Sequence, residues 1–151
     1  VFERVYTVWN YFDGPREGIA DYRGQPHHYL CEWNNERDDY GDAFTLCRVD
    51  SETMDLALEE WKIWRTWETA FHAGTVPHAT HPGFGGQDAR YDWLKATVTA
   101  RLAAIPRLSP AVRATFRAAG GATTSPPGEL RTLEVEWEDV EAADAVRPKV
   151  T

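Results

Sequence analysis

Lysine is scarce in this chain. Of its sixteen basic residues only three are lysine, and 24 carboxylates leave a formal charge of −8. A phosphate backbone needs a basic face to bind, so nucleic acid is not an expected partner. Low lysine beside abundant Ala, Gly and Arg fits a GC-rich bacterial genome. No apolar run approaches the roughly 20 residues of a membrane span. No signal-peptide pattern appears either, and a cytoplasmic protein without a membrane partner is expected. Two cysteines, Cys31 and Cys47, are too few for a disulfide scaffold. They read as small buried hydrophobes in a reducing cytosol, with one disulfide between neighbouring strands left open.

Motifs are missing too. There is no Cys-x-x-Cys, no His-Glu-x-x-His and no Gly-x-Ser-x-Gly, which removes the common zinc and serine-nucleophile signatures. Gly83-Phe84-Gly85-Gly86 precedes a helix but lacks both a preceding strand and a Lys-Ser/Thr partner, so it reads as a hinge, not a phosphate cradle.

What remains is ample for a core. The chain has 151 residues, 42% of them hydrophobic and seven of them tryptophan, the size and content of one domain. A single α+β domain over residues 1–140 is expected, with 141–151 a flexible C-terminal tail.

Val1 to Phe12 is β-branched and aromatic on both alternating faces, which fits a central strand. Asp13 to Gly18 is turn-forming. Ile19–Tyr22 and His27–Trp33 flank Arg23-Gly24-Gln25-Pro26 as a hairpin, and Ala43–Val49 completes a meander after the acidic loop Asn34–Asp42. A long helix follows from Ser51 to Gly74, with Asp50 or Ser51 as its cap and Gly74 as its stop. Thr75–Gly86 has no periodicity. Asp88–Ile105 carries Tyr91, Leu94, Val98, Leu102 and Ile105 at helical spacing.

Ser109-Pro110 then looks like the cap of a third, short helix, with Val112 and Phe116 on one face and Gly120-Gly121 as its end. Ala122–Gly128 reads as a loop, and Leu133–Glu138 alternates as a last strand that returns to the sheet beside the first. The expected fold is an antiparallel sheet of four to five strands, with the long Trp-rich helix and two shorter helices packed on one face.

On a helical wheel the long helix is apolar over about 240°, far more than a surface helix needs. Packing on most of its circumference is therefore expected. Arg65, Glu68 and His72 break the apolar arc near Trp61 and Trp64, at spacings that let Arg65 meet Glu68 and Glu68 meet His72. Charges on a buried face need partners. They form either an internal network or a Trp-lined pocket, with Trp61, Trp64, Arg65, Glu68 and His72 as ligand-binding residues for a small molecule. His72, His78 and His81 lie within ten residues and offer a divalent-metal set with Glu68. The acidic runs Glu32–Asp42 and Glu129–Asp144 offer a docking face for a basic protein. A small binding or interaction protein is the leading expectation, with no cofactor required. The alternative is a metal-dependent, hydrolase-like enzyme using Glu68, His72 and the loop histidines.

Overall fold

The computed structural model describes residues 1–108, 111–119 and 132–140. These fall into two compact units. One takes Val1–Arg48, Pro106–Arg117 and the described residues from Leu133 onward; Val49–Ile105 belongs to the other.

The first unit is a closed antiparallel barrel. Its strands are β1 (Glu3–Tyr11), β2 (Pro15–Tyr22), β3 (Gln25–Leu30), β6 (Ala43–Arg48), β7 (Val112–Ala118) and β8 (Leu133–Asp139), hydrogen-bonded in that order with β8 returning to β1. A two-stranded ribbon, β4 (Trp33–Asn34) and β5 (Asp39–Tyr40), stands between β3 and β6.

Local chemistry accounts for the turns. Arg23 and Gly24 both have positive φ, 52° and 76°, the geometry of a two-residue hairpin whose twist matches its flanking strands. Tyr22 pairs with Gln25 and Asp21 with Pro26, so Gln25 and Pro26, expected in the turn, belong to β3.

Inside the barrel Tyr29, Phe44, Phe116 and Trp137 meet as one aromatic cluster, with ring centroids 5.6–6.0 Å apart. The buried Tyr29 hydroxyl donates to the Thr7 carbonyl at 2.9 Å. Burial, with Glu17 nearby, pushes that phenol far above its usual range, so it stays a donor. Gly18 pairs with Tyr29 across β2 and β3. A Cβ at position 18 would overlap the Thr7 carbonyl and lie 2.6 Å from the Tyr29 hydroxyl oxygen. β1 is irregular beside this contact, and the Thr7 hydroxyl accepts from the Ile19 amide at 2.9 Å there.

Closure corrects the expected open sheet of four to five strands with three helices on one face. The decisive segment is β7, expected as a helix. Val112 and Phe116 stand four apart, a spacing that one face of a helix and one face of a strand both satisfy. The residues between settle the matter: Arg113, Thr115 and Arg117 are exposed, while Val112, Ala114, Phe116 and Ala118 are more covered. That is a period of two. With β7 between β6 and β8, the last strand reaches the first, and Glu3 pairs with Val135. The Ser109-Pro110 cap, the Gly120-Gly121 stop, the Ala122–Gly128 loop and the 141–151 tail lie outside the described residues.

The second unit is a helical hairpin. α1 runs Ser51–His72, capped by Asp50, which accepts from the Thr53 amide at 2.7 Å. Gly74, at φ 76°, follows its end. α2 runs Ala89–Ala103, capped by Asp88. Ion pairs Glu52–Arg101 (2.9 Å) and Glu59–Arg90 match the start of α1 to the end of α2 and its middle to the start, so the helices are antiparallel. α1 is not enclosed along its length. Its buried residues are Thr53, Met54, Ala57 and Glu60, all in the first half; Trp61, Ile63, Trp64 and Trp67 are half-buried.

Gly18→Ala is expected to destabilise the barrel by about 3 kcal/mol, because the new methyl meets backbone that cannot yield. Urea denaturation of the variant beside the parent chain measures this directly.

Candidate functional site

α1 supplies the residues that the sequence singles out. Arg65 and Glu68 form an ion pair one turn apart, with the Glu68 side chain the more covered of the two. His72, at the end of the helix, is exposed and sets its ring edge-on to Phe71. No hydrogen bond joins it to Glu68 among the described residues. Trp64 and Trp67 lie 5.8 Å apart and hold the His81 ring at 4.5 and 4.6 Å. Phe84 packs on His81 from the following turn at 4.9 Å. The chain reaches this arrangement through two short 3-10 turns, His78–Thr80 and Pro82–Phe84. The Trp67 indole N–H donates to the Thr80 hydroxyl at 2.9 Å, which fastens the loop to the helix.

His81 Nδ1 accepts from the Gly83 amide at 2.9 Å. That bond requires a neutral Nδ1, and burial together with the nearby His78 lowers the His81 pKa. His78 and His81 have ring centroids 6.0 Å apart. Among the described residues no group of three or more His, Cys, Asp and Glu side chains could hold a metal ion. Trp61, Trp64, Arg65, Glu68 and His72 thus stand on one half-helix, with one ion pair and a self-filled aromatic stack beside them.

A second arrangement lies at one end of the barrel. Tyr11 is 63% exposed, Phe12 60% and Trp33 42%. Tyr40 joins two of these rings, 5.7 Å from Phe12 and 5.0 Å from Trp33. The β4–β5 ribbon carries Trp33 and Tyr40 within the acidic run Glu32–Asp42, which holds five carboxylates against the single base Arg37. Asp42 pairs with Arg113 at 3.5 Å. Glu32, Glu36, Asp38 and Asp39 are exposed and have no cationic partner among the described residues. Only part of the second acidic run is described. Within it Glu134 pairs with Arg117 at 2.6 Å across neighbouring strands.

Sequence reasoning missed a third cluster. Ile19, His28 and Cys47 stand opposite one another on β2, β3 and β6, all buried. His28 Nε2 meets Glu17 at 2.8 Å, and Cys47 Sγ lies 4.0 Å from His28 Nδ1. Arg107 reaches back to donate to His28 Nδ1 at 2.6 Å, Cys47 Sγ at 3.1 Å and the Thr45 carbonyl at 2.7 Å. A guanidinium only donates, so His28 Nδ1 must accept and Nε2 carries the proton toward Glu17. The order of thiol, imidazole and carboxylate resembles a nucleophile set. Two facts weigh against that use: Cys47 has no exposed surface, and burial pushes its thiol up although Arg107 pulls the other way. A clasp that binds the Pro106–Leu108 segment to β3 and β6 is the better account. Alternation along each strand would have placed Glu17, His28 and Cys47 on outward rows, but nothing local announces Arg107, 79 residues from His28. Both cysteines are free thiols.

No family model, no curated protein and no solved structure matches this chain. The fold defines a small antiparallel barrel with a helical hairpin, and side-chain chemistry alone carries the functional reading. No helix among the described residues is long and apolar enough to cross a membrane.

Two outcomes are expected. Arg107→Met leaves His28 Nδ1 and the Thr45 carbonyl without their donor, for a loss of about 2 kcal/mol in chemical denaturation. The folded state favours neutral His81, so the unfolded chain binds the extra proton. His81 therefore adds stability that is present above the unfolded histidine pKa and lost as pH falls. Denaturation between about pH 5 and pH 8 is expected to show this rise, and His81→Gln to flatten part of it.

Proposed function

We propose that this protein is a binding protein that docks a basic partner on the aromatic, acid-rimmed end of its barrel. The observation that carries the reading is the meeting of exposed Phe12 and Trp33 with four carboxylates that have no cationic partner among the described residues. Exposed apolar rings that come together and are rimmed by polar groups mark interaction sites. Their rim of negative charge steers and selects a cationic surface. The overall charge of −8 acts in the same direction at longer range.

The Trp-rich half of α1 supports a binding role less directly. Its Arg65–Glu68 pair is satisfied internally, and its rings are filled by His81 and Phe84.

Titration of the intact chain with a synthetic peptide of mixed arginine and lysine is expected to give micromolar binding. Raising salt from about 50 to 300 mM should weaken it about tenfold. Exchanging Asp38 and Asp39 for Lys should abolish it, and an acidic peptide of equal length should not bind. Equal affinity for both peptides, or binding indifferent to the Asp38 and Asp39 exchange, would end this reading.

A further inference from the structure

We infer that the barrel-end surface selects arginine side chains over lysine. The inference rests on the docking role proposed above and names the chemistry that its partner must carry.

The surface already holds one arginine of its own. Arg16 lies with its guanidinium carbon 4.7 Å from the Tyr40 ring centroid. Its Nε donates to the Phe12 carbonyl at 2.8 Å and its Nη2 to the Asp13 carbonyl at 3.1 Å. One planar fork thus stacks on a ring and satisfies two backbone oxygens at once. An ammonium group cannot do this: it is compact, more strongly hydrated and has no flat face to lay on a ring.

The same pairing recurs across the chain. Arg4 stands over Tyr6 at 4.6 Å, Arg23 over Tyr22 at 5.1 Å, Arg90 over Trp93 at 4.8 Å and Arg117 over Phe2 at 3.4 Å. With Arg16 over Tyr40, five ring faces on this protein carry a guanidinium. Tyr11, Phe12 and Trp33, the exposed rings at the barrel end, have none over them among the described residues, and of these Trp33 and Phe12 adjoin Tyr40. Glu32, Glu36, Asp38 and Asp39 stand on the same ribbon segment, free of ion pairs among the described residues. An incoming guanidinium can stack on Trp33 or Phe12 and direct its remaining N–H groups to a carboxylate in the two-pronged geometry that lysine cannot form. The partner that fits is an exposed arginine-rich segment of a protein.

Two peptides of equal length and charge test this, one a glycine–arginine repeat and the other a glycine–lysine repeat, titrated into the full chain with Trp fluorescence as the readout. The arginine peptide is expected to bind about five- to tenfold more tightly. Phe12→Ala with Trp33→Ala should weaken both peptides and bring their affinities to within about twofold of each other, and circular dichroism confirms that the variant is folded. Equal affinity of the two peptides for the parent chain overturns the arginine preference and leaves the basic-partner reading in place. Failure of both to bind overturns both. A preference that survives in the double variant also overturns the inference, because it would then arise away from these rings.

Discussion

The Tyr29 hydroxyl reaches over β2 to the carbonyl of Thr7 on β1, and it can do so because position 18 has no side chain. Much of the first unit follows from that contact. A full-size side chain at position 18 would push β1 away from β2, and β1 is the strand to which β8 must return for closure. Tyr29 also seats the cluster of Phe44, Phe116 and Trp137, rings drawn from β6, β7 and β8. One buried hydrogen bond and one missing methyl therefore lie where ring packing and strand closure meet. Backbone polar groups inside such a core need partners, and the Thr7 hydroxyl meets the Ile19 amide where β1 loses its regular register.

A closed barrel has consequences for function. With each of its six strands paired on both sides, the barrel itself has no outermost strand to which a partner strand could add. The docking proposed above therefore draws on side chains at the ends of the strands and on the connections between them. The β4–β5 ribbon is such a connection, and it displays aromatic rings and carboxylates together. The Glu17–His28–Arg107 chain beside Cys47 does a different job. It is made of catalytic residue types, yet its protons are committed to one another and its sulfur is sealed from water.

Several elements were legible in the order of residues. α1 and α2 fell within a few residues of their expected ends, because an aspartate cap, a glycine stop and a 3.6-residue period are properties of a single segment. The β2–β3 hairpin and β8 were legible for the same reason, through alternation and turn residues. β7 was not. Its Val112 and Phe116 satisfy both periods, and only the neighbours that it finds in β6 and β8 choose between them. The long helix misleads in another way: its wide apolar arc implies packing on most of its circumference, while its second half holds Trp64 and Trp67 half-exposed around His81. Of the candidate site line, Arg65 meets Glu68 as the spacing implied, and His72 turns to Phe71.

By itself the sequence determined what depends on neighbours a few residues away: caps, turns, periodicity, and the acidic run that now rims the barrel end. Only the tertiary structure decided that the sheet closes, that Arg107 clasps His28 and Cys47, and that Phe12 comes to lie against Tyr40 beside Trp33. The reason is physical. Helix propensity, capping and alternation are short-range energies written in contiguous residues, whereas these contacts join strands and connections far apart in the chain. Their stability comes from burial and pairing that exist only once the strands have met.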